Sequence, residues 1–200
     1  MLTEKILHEF ETILDKERIL TSKEDLLSYA YDAYVEEYLP EAVLFPKTSA
    51  EVSQIMKVAS THRIFVTPRG AGSGLAACSL AKQGGVILCF TMMNRILEIN
   101  KPNRYAIVEP GVVVSEFQKE VEKIGLFYPP DPGSATVATM GGTVLMNAGG
   151  MRGIKYGVTR DYLMGLQGVL PSGEVIQTGS LTAKDVTGYD LTRLICGSEG

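Results

Sequence analysis

Apolar residues recur at helical spacing at the start of the chain. Residues 3–17 place Ile6, Phe10, Ile13 and Leu14 on one face and predict an amphipathic helix. Thr21 followed by Glu24 reads as a capping box opening a second short helix. The tyrosines of segment 29–38 read as packing aromatics rather than a binding cage. From residue 41 the pattern becomes strand, helix, strand. Residues 42–45 form an extended apolar run, Thr48 and Glu51 cap a helix bearing Val52, Ile55, Met56 and Ala59, residues 64–66 return as a strand that Pro68 ends, and residues 86–90 add another strand. Beyond Asn100, residues 105–108 predict a strand, and Ser115 with Gln118 caps a helix running through Ile124. Residues 163–170 and 174–177 predict a hairpin around Pro171-Ser-Gly173. The pattern is that of an α+β protein: a helical arm over residues 1–39, then two α/β lobes over about 40–100 and about 101–200.

Composition narrows the function classes. With 45% apolar residues, 200 residues are enough to bury a core. Nineteen basic against 23 acidic side chains give a net charge of −4, which leaves no electrostatic footprint for nucleic acid or an anionic membrane. No run of eighteen apolar residues and no basic leader with an apolar core occurs, so no transmembrane segment is expected and the expected location is the cytoplasm. Cys78, Cys89 and Cys196 are widely spaced, odd in number and form no C-x-x-C pair; they predict buried thiols in a reducing compartment rather than disulfides or an iron–sulfur ligand set. His8 and His62 belong to no cluster at metal-ligand spacing, and no metal site is expected.

Candidate chemistry lies in glycine-rich loops. In Ile64-Phe-Val-Thr-Pro-Arg-Gly-Ala-Gly-Ser-Gly-Leu75, a short apolar run opens into a loop with glycine at 70, 72 and 74, able to aim several backbone N–H groups at one phosphate. Its spacing is neither the G-x-G-x-x-G of a Rossmann turn nor a P-loop, since Leu75 or Ala77 stands where a third glycine belongs and no Gly-Lys-Ser/Thr follows. Taken alone, the loop is equally a glycine-rich surface turn. A second cluster tips that balance: Tyr128-Pro-Pro-Asp-Pro-Gly-Ser134, Thr139-Met-Gly-Gly-Thr143, Asn147-Ala-Gly-Gly150 and Lys155-Tyr-Gly157. Two such regions, rich in small residues and poor in charge, suit a long ligand lying across both.

These loops, in this order, together with Lys184-Asp-Val-Thr-Gly-Tyr-Asp-Leu191 and Gly197-Ser-Glu-Gly200, resemble the FAD-binding domain of the vanillyl-alcohol oxidase / p-cresol methylhydroxylase superfamily. Within that superfamily the chain most resembles the branch of the FAD-carrying glycolate oxidase and D-lactate dehydrogenase chains, and the resemblance spans residues 40–200. It implies two lobes flanking FAD. The first set of contacts would comprise Pro68, Arg69, Gly70, Ala71, Gly72, Ser73, Gly74 and Leu75, with backbone N–H groups and the Ser73 hydroxyl on the pyrophosphate and Arg69 either on a phosphate or at the surface. The second would comprise Pro132, Gly133, Ser134, Thr139, Gly141, Gly142, Thr143, Asn147, Gly149, Gly150 and Gly157, along the ribityl chain and ring. Glu199 and Gly200 would begin a third set, disordered if the chain ends there; Lys155 would either stabilise charge near the flavin or cap its loop.

The same resemblance implies oxidation of a 2-hydroxy acid such as glycolate or D-lactate to a 2-oxo acid, with electrons passing onward to an acceptor or partner subunit. Some relatives link FAD to a histidine near the first loop. Positions 69–80 contain none, so non-covalent FAD is expected. In the family the substrate base and any metal ligands lie in a separate cap, so no catalytic residue is assigned. The expectation is a truncated form of a larger enzyme lacking that cap, inactive by itself. The alternatives are a non-catalytic FAD-carrying subunit or remnant, or a flavoenzyme like UDP-N-acetylenolpyruvoylglucosamine reductase, against which the ending from Lys184 argues.

Overall fold

The computed structural model describes residues 2–200. The N-terminal helical pattern folds as α1 (Glu4–Glu11), capped by the Thr3 hydroxyl, which accepts from the Ile6 N–H. This helix stops earlier than the apolar spacing predicts. Leu14 nevertheless stays buried beyond its end, so the periodicity marked burial rather than helix length. The second helix, α2 (Lys23–Leu27), is capped by Ser22 accepting from Asp25 N–H, one residue after the predicted Thr21–Glu24 pair. Between them a 3-10 turn presents Arg18, only 8% exposed, whose guanidinium makes a two-toothed pair with Glu51 at 2.9 and 3.0 Å. The fork geometry suits a carboxylate and ties the arm to the start of α3 (Ser49–His62). Thr48 caps α3 as expected, accepting from the Glu51 N–H.

Strands β1 (Ile19–Leu20), β2 (Ala42–Leu44), β3 (Val66–Arg69) and β4 (Val86–Cys89) make one sheet in the order β1-β2-β4-β3. Strands β2 and β3 both run parallel to β4, and β1 pairs antiparallel with β2. Every residue of β2 and β4 is buried, which is why both read as unbroken apolar runs instead of alternating ones. The third strand begins two residues later than predicted and does not stop before Pro68. Pro68 stands inside β3 opposite Leu88, at the sheet edge, where a missing N–H leaves no ladder partner wanting. The core of this part joins Leu26, Val43, Phe45, Ala81, Ile87 and Cys89, with Leu20 and Tyr29 packed against it.

By compactness the chain divides into two units, Met1–Met92 with Gly168–Ile176, and Met93–Gln167 with Gln177–Gly200. The division falls a few residues before Asn100. In the second unit β5 (Ile96–Asn100) and β6 (Tyr105–Val108) form an antiparallel ribbon. Helix α4 (Val114–Lys123) lays Val114, Phe117 and Val121 into a core with Val112, Ala135, Ala138 and Met140. Its N-cap is Val113 without a side-chain bond; Gln118, expected in the cap, instead donates to the carbonyls of Tyr128 and Pro130. The predicted hairpin forms from β7 (Gly165–Val169) and β8 (Val175–Gly179), its tip over Gly168–Ile176 counting with the first unit and its turn closed by bonds between Leu170 and both Gly173 and Glu174. Short helices α5 (Met140–Leu145), α6 (Gly153–Tyr156) and α7 (Leu191–Ile195) complete this unit.

Candidate cofactor site

The first glycine loop leaves the C-terminal end of β3, where open parallel sheets place ligands. Residues 71–76 donate no backbone N–H to any acceptor among the described residues, and the Ser73 hydroxyl is equally unpaired. Ala71, Gly74 and Leu75 are exposed, and Gly70, Gly72 and Ser73 half-buried, so water or a ligand reaches these donors. An array of adjacent N–H groups of this kind satisfies a polyanion with little net charge.

Arg69 does not stay at the surface. Its side chain turns inward, 6% exposed, and donates to the carbonyls of Tyr31 at 2.8 Å and of Tyr29 and Ser79 at 3.4 Å. The guanidinium lies 5.5 Å from the centre of the Tyr29 ring, and burial pulls its pKa below the ordinary arginine value. Gly72 sits on this group with φ +67°, and a Cβ there would overlap the guanidinium. The backbone angle favours glycine at 72, and any Cβ there would also push the guanidinium from its place.

In the second unit the remaining candidates gather around α5. Its first N–H groups are occupied: Met140 donates to Val112 O, Gly141 to Pro110 O, and Gly142 to the Thr139 hydroxyl. Thr139 and Thr143 are buried, and the Thr143 hydroxyl donates to Met140 O. The amides of Gly141 and Gly142 are thus structural, leaving only their Cα faces to meet a ligand. Asn147, at φ +46°, accepts the Arg160 N–H on its side-chain oxygen at 3.0 Å, so only its NH₂ is available. Among the described residues, the N–H groups of Gly133, Ser134, Gly149 and Gly150 find no acceptor. Gly150 lies so close to the Asp131 carbonyl and Pro132 nitrogen that no side chain fits, which brings Pro132 and Gly150 together. Gly157 turns the chain so that Val158 N–H meets the Asp161 carboxylate at 2.7 Å.

Gly197 N–H donates to Val144 O, which also accepts the Asn147 N–H, and Glu199 N–H donates to Leu145 O, both carbonyls at the end of α5. Cys196, its thiol pushed up by burial, donates to the Val144 carbonyl at 3.1 Å. Lys155 rests over the Tyr156 ring, 4.9 Å from its centre. Nearby, Phe117, Tyr128 and Tyr162 pack edge to face, and burial pushes the Tyr128 phenol up to about 12. His62 pairs with Glu9 at 3.0 Å and His8 with Glu11 at 3.4 Å. No group of three or more His, Cys, Asp or Glu among the described residues is placed to hold a metal. No helix among them is long and apolar enough to cross a membrane.

Residues 40–179 match the model of the FAD-binding-domain family. The chain belongs to that family. FAD is the cofactor of this domain, and the unpaired donors of residues 71–76 fit its pyrophosphate. The chain is similar to glycolate oxidase subunit GlcD of Bacillus subtilis (strain 168), 45% identical over all of this chain and 43% of the relative. It is also similar to D-lactate dehydrogenase of Anaerostipes hadrus, 38% identical over all of this chain and 42% of the relative. The chain thus spans less than half the length of these curated relatives. Among solved structures, p-cresol methylhydroxylase with substrate bound superposes at a TM-score of 0.74 over 89% of this chain and 36% of that one, at 23% identity. That likeness bears out the α+β p-cresol-methylhydroxylase-type fold.

Sequence reasoning missed Tyr29, Tyr31 and Ser79, which hold Arg69 through main-chain carbonyls that any residue supplies. It missed Pro110 and Val112 for the same reason. A carbonyl partner leaves no mark on residue type.

Proposed function

We propose that the FAD domain serves an FAD-linked oxidase or dehydrogenase that converts a 2-hydroxy acid of the glycolate or D-lactate type into a 2-oxo acid. The observation that carries this reading is the run of unpaired N–H groups over residues 71–76 at the end of a parallel strand. The names of the relatives support the substrate class. In this reading Gly70, Ala71, Gly72, Ser73 and Gly74 hold the pyrophosphate through backbone amides and the Ser73 hydroxyl, with Pro68 and Leu75 flanking them. Gly133, Ser134, Asn147, Gly149 and Gly150 supply the second set of contacts, with Pro132, Thr139, Gly141, Gly142, Thr143 and Gly157 shaping the backbone there and Glu199 and Gly200 beginning a third. FAD, once bound, supplies the two-electron chemistry. Binding is non-covalent, supported by the absence of histidine from positions 69–80. The three free thiols support a cytoplasmic setting, and the electrons pass to an acceptor or partner subunit.

The test is a fluorescence titration of the purified protein with FAD, FMN and NAD, followed by anaerobic addition of glycolate or D-lactate to the FAD-loaded full-length protein. FAD is expected to bind tightest, and the hydroxy acid to bleach the visible flavin band. Tighter binding of NAD overturns the cofactor site, and a flavin that neither acid reduces overturns the substrate class.

A further inference from the structure

The segment before β2 has no role in the proposed chemistry, yet the glycine loop is fastened to it at both ends. Arg69, the residue before the loop, reaches the carbonyls of Tyr29 and Tyr31, and also that of Ser79 beyond the loop. The Ser79 hydroxyl in turn donates to the Asp32 carboxylate at 2.9 Å, whose other oxygen accepts the Tyr34 N–H at 2.7 Å. Arg69 forms no ion pair among the described residues: its partners are main-chain dipoles and the Tyr29 ring. The Asp32 carboxylate, held on Ser79, acts on it only from a distance; a buried cation whose direct partners are dipoles is costly, and an anion close by relieves that cost. Gly72 rests directly on the guanidinium, so the charge lies beneath the unpaired N–H array.

We propose that Arg69 is a positioning residue which clamps the Tyr29–Asp32 segment behind the glycine loop, so that FAD binding at residues 71–76 and the order of residues 29–34 are linked. This rests on the proposed cofactor site. The linkage runs both ways. An anion on the loop stabilises the clamped guanidinium, and a firm clamp fixes the direction of the N–H groups the anion needs.

Amide hydrogen exchange with and without FAD tests it on wild type, Arg69→Met, Arg69→Lys and Asp32→Ala. In the wild type, FAD slows exchange in residues 70–79 and in 29–34. Arg69→Met loses the charge and all three bonds, and is expected to weaken FAD binding at least about tenfold, with protection of 29–34 abolished. Arg69→Lys, keeping the charge without the fork, recovers part of the affinity, and a purely structural residue would not show that recovery together with a restored salt dependence. Asp32→Ala removes one surface tie and is expected to weaken binding about threefold in a folded protein, which keeps the test open if Arg69→Met does not fold. FAD that protects 70–79 while leaving 29–34 unchanged overturns the linkage alone, as does unaltered FAD affinity in Asp32→Ala and in whichever Arg69 variants fold. A wild type without FAD binding overturns the cofactor reading and the linkage with it.

Discussion

Residues 71–76 and the stretch from Met140 to Gly150 are both rich in small residues, yet the first leaves its N–H groups unpaired while the second turns most of them inward. In the second stretch Met140, Gly141, Thr143, Met146, Asn147 and Ala148 all donate to carbonyls of the same unit. Glycine there is a packing device. Gly141 lets the chain lie against Pro110, and Gly150 lets it lie against Asp131. In the first loop glycine keeps a run of donors open to the outside, and only Gly72 is also needed for packing. Gly74 meets nothing within 4 Å. A glycine count therefore flags both regions and separates neither; the separation comes from where each amide points.

The largest expected effect lies in the packed region. Gly150→Ala would drive a Cβ into the Asp131 carbonyl at φ +134°, and should lower the unfolding free energy by about 3 kcal/mol, read from a urea melt. An unchanged midpoint would mean that this close approach is absent. Next comes Gly72→Val, expected to weaken FAD binding about a hundredfold, close to 2.7 kcal/mol, while costing about 1–2 kcal/mol of stability. Full FAD retention in that variant would move the cradle elsewhere.

A smaller effect reports on the frame behind Gly141. Glu109, buried beside Pro110, is held below the ordinary carboxylate range first by its hydrogen bonds from the Arg95 guanidinium and then by the Arg95 N–H and charge. A depressed carboxylate contributes stability that is fully present above its unfolded value, about 4.3, and is lost as pH falls through the lower folded value. Glu109→Gln should thus lower stability by about 1 kcal/mol at neutral pH, because Arg95 is largely exposed and screened, and the gap to wild type should close in acid. A gap that widens below pH 4 would contradict the assignment. The smallest effect is expected for Gly74→Ala, within about 0.5 kcal/mol of wild type in stability. A larger loss would show that the loop is packed after all.

Much of this was legible because burial writes itself into residue type. Val43, Leu44, Ile87 and Leu88 announced two apolar strands, which the sheet buries throughout, and Pro171-Ser-Gly173 announced its hairpin. The glycines at 70, 72 and 74 marked the loop. What stayed hidden was governed by the main chain. Pro68 reads as a strand breaker until the strand proves to be an edge, and β1 is two residues long, too short for any period. Arg69 looked like a surface or phosphate group because the carbonyls that bury it leave no trace in side-chain chemistry. The cap at Ser22 rather than Thr21 shows the same limit at one-residue scale, since adjacent hydroxyls compete and backbone geometry chooses.

The hairpin tip has a temporal meaning. Ser53 on α3 donates to the carbonyl of Gly173, 120 residues further along, and the unit that contains both also contains everything up to Met92. A nascent chain leaving the ribosome can build β2, α3, β3 and β4 early, but it must wait for residue 173 before that unit closes. Contacts of such sequence separation slow folding through loop-closure entropy. Synthesis at about 5–20 residues per second places seconds between the first helix and its last neighbour. During that interval the partner of Ser53 does not yet exist, and the unit stays open at that place.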